Sequence, residues 1–204
     1  MTRLTKLLLG LGLIAGTLQA QTSVSGQAVG AAVRTLATHL QSGQVDLPAG
    51  GGFVSADVDA LSAPEVSVDA LTTMTSGTTD TQASTAQSTA HLENVNVLGG
   101  LITAETVIAS TSSWVSGSAG SNTLGSVFTN LAVNGVPVAI GDYMPAPNTR
   151  VDLPGVGYAV LNEQIPSGAS GIMVNMIHVV LQDALTGLTL GEILVASASS
   201  SVGI

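Results

Sequence analysis

Several stretches of the chain carry residue types that could do chemistry. Asn162-Glu163-Gln164 sets a carboxylate between two amides, at the end of an apolar run and just before Pro166. Buried beside a second carboxylate, Glu163 could serve as a general acid or base. In the competing reading the three side chains satisfy backbone groups where a strand ends. No second carboxylate can be identified, so the structural reading is preferred. His178 stands inside the most apolar stretch, Val174-Asn175-Met176-Ile177-His178-Val179-Val180-Leu181. Its possible co-ligands His39 and His91 are far away in sequence and lack metal-ligand spacing. His178 therefore reads as a core or interface histidine with one hydrogen bond. Asp57-Val58-Asp59 offers alternate carboxylates of the kind calcium takes, but no Asp-x-Asp-x-Asp-Gly loop surrounds it, and a solvated acidic face is expected. Trp114 and Tyr143 could stack on a sugar ring, although two aromatics so far apart in sequence do not establish a platform. Ser170, within Gly168-Ala169-Ser170-Gly171, lacks the frame of a nucleophile elbow. No catalytic, cofactor-binding or metal-ligating residue is assigned, and the chain is expected not to be an enzyme.

The elements that would position these residues read as β throughout. Val174 to Leu181 is the strongest strand, apolar on both faces of a period-2 pattern, which suits a covered position. Gly191 to Ala198 follows it, and Ile172 to Leu181 and Leu190 to Ala198 are expected to be interior neighbours. Leu131 to Val133 and Val136 to Ile140 flank Asn134-Gly135, the pair that tolerates a type I′ hairpin turn. Pro137 lacks a ladder donor and belongs at an edge. Asp152 to Gly157 is a turn leading into a strand from Tyr158 to Ile165, and Leu101 to Ser110 alternates for much of its length. Repeated strands with Gly/Pro punctuation predict an all-β, mostly antiparallel β-sandwich. Two regions stay open: Val29, Val33, Leu36 and Leu40 fit a helical stripe, and Met74 to Thr89 reads either as two polar strands or as a mobile loop. The many threonines invite an ice-binding reading, which the lack of a fixed-period repeat weakens.

Composition bounds what such a domain can do. The 204 residues are 45% hydrophobic, 8% charged and 2% aromatic, with no cysteine. Met1 to Ala20 reads as a secretory signal, with Arg3 and Lys6 ahead of the apolar Leu7 to Ile14 and Ala20 at the cleavage end. The mature chain, 21–204, is expected to be a single domain. It holds two cations, Arg34 and Arg150, against thirteen acids, a net charge of −11. Two arginines cannot build a basic patch for nucleic acid or an anionic membrane surface. No later apolar run is long enough for a membrane helix, and the aromatics are too few for the girdles of a transmembrane barrel.

A further set of residues is recognisable in order. Val97-Leu98-Gly99-Gly100-Leu101-Ile102-Thr103-Ala104 precedes Leu131-Ala132-Val133-Asn134-Gly135-Val136-Pro137-Val138. Asn148-Thr149, Leu153-Pro154-Gly155-Val156-Gly157, Leu161-Asn162-Glu163-Gln164 and Val174-Asn175-Met176-Ile177-His178-Val179 follow. Together with Asp46-Leu47-Pro48-Ala49-Gly50-Gly51-Gly52, this set resembles the choice-of-anchor P family of bacterial surface proteins. The resemblance implies an exported, mostly β extracellular domain and brings no catalytic residues with it. The terminal Ser199-Ser200-Ser201-Val202-Gly203-Ile204 has no sortase-type motif, hydrophobic tail or basic cluster, so direct covalent anchoring is not expected.

The leading expectation is an exported, extracellular or cell-surface structural module without enzyme activity or cofactor. Gln21 to Ala37, nearly uncharged, has two readings: it could add as a strand to a neighbouring subunit and give filaments or a surface layer, or fold back into the sheet of its own chain. The alternative is a secreted carbohydrate- or matrix-binding adhesive domain. A third reading is a hydrolase built on Glu163.

Overall fold

A computed structural model describes residues 22–80 and 82–203, so the expected leader lies outside the described residues. Strands dominate from the start: β1 (Ser23–Thr35), β2 (His39–Ser42), β3 (Val45–Asp46), β4 (Gly51–Val58), β5 (Leu61–Ser62) and β6 (Val66–Val68). Next come β7 (Ala70–Thr78), β8 (Ser84–Val97), β9 (Ile102–Ser116), β10 (Ser118–Asn122), β11 (Val127–Thr129), β12 (Ala132–Val133), β13 (Val136–Pro137) and β14 (Asp142–Tyr143). The chain closes with β15 (Thr149–Leu153), β16 (Gly157–Pro166), β17 (Gly171–Gln182) and β18 (Thr189–Gly203). Among the described residues there is no helix, hence none that could cross a membrane.

Two antiparallel sheets face each other across a shared core, as the alternating sequence predicts. Sheet I runs β15-β16-β17-β18-β1-β2, with β3 also on β1. Sheet II is centred on β8 and β9 and ends at β4 on one side. β17 and β18 pair along their length, and both are interior strands of sheet I. Asn134 and Gly135 both take positive φ and join β12 to β13, which puts Pro137 on an edge strand. The Met74 to Thr89 region forms two polar strands, β7 and β8.

Within the described residues, the Gln21 to Ala37 segment folds back into the sheet of its own chain. Most of it is β1, bonded within its own chain to β18 on one side and to β2 and β3 on the other. It is neither a helix nor a free strand, and adding it to a neighbour would require β1 to leave the middle of its sheet.

The helical spacing has a structural cause. Each long strand keeps a period of two but changes phase once. In β17 the positions that join the shared core run Val174, Met176, then Ile177, Val179; in β18 they run Ile193, Val195, then Ala196, Ala198. Ladder pairing is skipped along the row Asn162, Met176, Ala196, Gly30, and Asn162 and Ala196 there adopt φ of 50° and 53°. In sheet II the change falls between Leu92 and Val95 on β8, where Asn94 has φ 51°, and between Ala104 and Val107 on β9. Gly30 is required at this line because a Cβ there would overlap the Leu71 side chain.

The interior is built from two materials. An aliphatic cluster joins Leu71, Leu92, Val107 and Phe128 of sheet II to Val33, Leu161, Ile177 and Ile193 of sheet I. A second, small cluster of Val24, Leu47, Ala86 and Val202 closes the opposite end. Between them runs a belt of buried hydroxyls: Thr75, Ser88, Thr111, Ser113 and Ser200. Thr75 and Ser88 are hydrogen-bonded at 3.0 Å. Ser113 Oγ donates across the sheets to the Ser200 carbonyl at 2.9 Å and also meets Ser200 Oγ at 2.8 Å. Small hydroxyls let the sheets come close together here. A Cβ on Gly26 would sit 2.7 Å from Ser88 Oγ, so the glycine belongs to the same device.

Candidate functional site

The phase change in sheet I creates the densest polar cluster on its outer face. Because Met176 and Ile177 both turn inward, Asn175 and His178 flank the fold line on the outside. Glu163 of β16 lies directly opposite Asn175. Its Oε2 accepts a hydrogen bond from Asn175 Nδ2 at 2.7 Å and contacts His178 Nδ1 at 3.0 Å. The two ionisable side chains are about four-fifths buried, at 20% and 18% exposure. A carboxylate can only accept, so an ionised Glu163 requires the facing Nδ1 of His178 to carry a proton. That is how a carboxylate orients an imidazole base. Here, however, His178 Nε2 is buried with no hydrogen-bond partner, as is Asn175 Oδ1. That nitrogen is closed off from anything in solution.

The flanking amides turn the other way. Asn162 is buried on the inner side and donates to the Pro145 carbonyl at 2.8 Å. Gln164 bridges Asn162 Oδ1 and Thr123 Oγ1, both at 3.0 Å. Both amides stitch loops to the strand, but only Asn162 satisfies a backbone group with its side chain, and β16 runs on past all three residues to Pro166. Glu163 differs, because it braces an imidazole rather than a strand end. The sequence hid this contact: β16–β17 pairing places Glu163 across from Asn175 and diagonal to His178, a proximity that only the register reveals.

The other candidates stay apart. His39 is exposed on β2, and His91 lies on sheet II, 4.0 Å from Glu93. Asp57 accepts a hydrogen bond from Thr72 at 2.8 Å while Asp59 is exposed beyond the strand. Among the described residues no three His, Asp or Glu side chains gather to hold a metal. Ser170 is buried and donates to the Val202 carbonyl at 2.6 Å. Near the β17–β18 turn, hydrogen bonds from the Thr186 hydroxyl, the Thr186 amide and the Leu185 amide hold the Asp183 carboxyl below its ordinary value.

Trp114 and Tyr143 do not form a joint platform. Tyr143 pairs with Phe128 and packs against the aliphatic core. Trp114 is on the outer face of sheet II, opposite Gly120 of β10. A Cβ on Gly120 would lie 2.6 Å from the ring's Cζ2, so the indole rests on bare backbone. Its neighbours on that face are hydroxyls and amides. One row runs Thr78, Thr85, Trp114, Gly120, and the next runs Phe53, Ser76, Gln87, Ser112, Asn122. Gln87 Nε2 donates to Ser112 Oγ at 3.2 Å, and Thr78 and Thr85 meet at 3.2 Å. Phe53, on the edge strand β4, is 64% exposed. Composition shows only that aromatics are scarce; the ladder shows that two of them share a face.

Residues 19–145, more than half of the chain, match a family described as a domain of unknown function (DUF8256), and the chain belongs to that family. No curated protein and no solved structure matches it.

Proposed function

We propose that this member of the DUF8256 family is an exported structural module of the cell surface that performs no catalysis. The observation that carries the reading is the sealed imidazole: in the best-organised acid–base pair among the described residues, the ring nitrogen of His178 that does not face Glu163 is buried away from any substrate. The pair then acts as a brace that fastens β16 to β17 across the fold line. Export rests on the signal-like Met1 to Ala20 and on the resemblance to the choice-of-anchor P surface proteins. A chain with two cations and no lysine after that leader also suits a role outside nucleic-acid and anionic-membrane contact. Intact-mass analysis of the extracellular fraction tests this: the N-terminus is expected near Gln21. Extracellular protein still carrying Met1 to Ala20, or protein retained in the cell at full length, would overturn export.

A further inference from the structure

The geometry points to a glycan-binding face on sheet II, formed by β4, β7, β8, β9 and β10 and suited to a neutral, extended polysaccharide lying across it. Three features of that face bear on the same ligand chemistry. Trp114 stands half-buried on the outer face with its ring against the Gly120 backbone. An indole held in this way offers a π-surface to the C–H face of a sugar ring and loses little freedom on binding.

Phe53 supplies a second apolar contact. It is three strands from Trp114 and one side-chain row along. At ~4.8 Å between strands and ~6.8 Å per two residues, the two rings stand roughly 16 Å apart. That separation requires several linked sugar rings, not a single monosaccharide.

Between the aromatics lie Ser76, Thr78, Thr85, Gln87 and Ser112, which provide hydroxyl and amide donors and acceptors without a formal charge. Sugar hydroxyls pair with groups of this kind, whereas an ionic ligand finds no counter-charge among them. Asp57, His91 and Glu93 of the same face lie toward the other end of the strands, and Asp80 sits in the β7–β8 turn beyond Thr78. Short side chains line the face because its strands alternate polar-out with small-residue-in: on β8, Thr85, Gln87 and Thr89 alternate with the buried Ser84, Ala86 and Ser88. An extended β-linked chain, with its ring faces exposed, can span the two aromatics across this open row better than a coiled one.

The experiment is depletion of purified protein lacking residues 1–20 by insoluble cellulose and by chitin, with free protein measured in the supernatant. At least one polymer is expected to bind. Trp114→Ala should weaken that binding about tenfold or more, Trp114→Phe should restore part of it, and Phe53→Ala should weaken it less. Leu185→Ser, on an exposed loop of sheet I, should bind like the parent. Thermal melts of each variant separate lost contact from lost fold. Failure of both polymers to deplete the parent, or full binding by a folded Trp114→Ala variant, would overturn the proposal. So would arrest of ice recrystallisation by a parent that binds neither polymer, because the hydroxyl grid would then be an ice-binding surface. The result is independent of export, which the N-terminus of the extracellular protein decides.

Discussion

The outer faces of the two sheets carry polar chemistry in opposite ways. Sheet I holds Glu163, Asn175 and His178 in a cluster in which His178 Nε2 and Asn175 Oδ1 are closed to solvent. Sheet II spreads single hydroxyls and amides over an open surface beside a half-buried indole and an exposed phenyl ring. The first arrangement suits a fixed structure, because each donor to Glu163 depends on the others and the price of breaking one contact is an unpaired buried group. The second suits recognition, because its groups are individually cheap to remove and collectively display a pattern. A largely buried ionisable pair therefore marks the quiet face of this molecule, and a neutral patch around Trp114 marks the face available for contact.

The largest effect should come from the core beneath the brace. Ile177 is fully buried next to the fold line, so Ile177→Asp is expected to abolish the cooperative melt, because an unpaired buried carboxylate costs several kcal/mol, on the order of the whole stability. An unchanged melting temperature would put β17 on the surface. Glu163→Leu strips the acceptor from two largely buried donors and should cost about 2–3 kcal/mol in urea titration. Glu163→Gln keeps one acceptor oxygen and should cost about 1 kcal/mol. If the two variants melt alike, the brace contributes nothing beyond volume. On sheet II, Gln87→Ala should stay within about 0.5 kcal/mol of the parent; a loss as large as that of Glu163→Leu would erase the contrast between the faces.

Much of this architecture can be read in the residues. Alternation, the Asn134-Gly135 turn and the edge position of Pro137 are local signals, and local signals survive folding. The phase changes explain where such reading stops. Val29, Val33, Leu36 and Leu40 look helical because the strand changes phase near Gly30, which turns Val29 outward and Val33 inward; Leu36 then ends up exposed in the turn. Likewise, Val174 to Leu181 looks apolar on both faces because Met176 and Ile177 both point into one core. The Glu163–His178 contact and the Phe53–Trp114 face depend on strand register across separate hairpins, and no spacing within the sequence encodes that.

The most direct test of the division between a sealed and a displayed face is imidazole modification by diethyl pyrocarbonate, mapped by mass spectrometry in the native state. The reagent attacks an accessible, unprotonated ring nitrogen. His39, exposed on β2, and His91, on the displayed face, should both carry the adduct. His178 should stay unmodified until denaturant opens the fold, because its free Nε2 is buried. Labelling of native His178 at the rate of His39 would mean that the Glu163–His178 pair is open to small molecules, and would contradict its assignment as a brace.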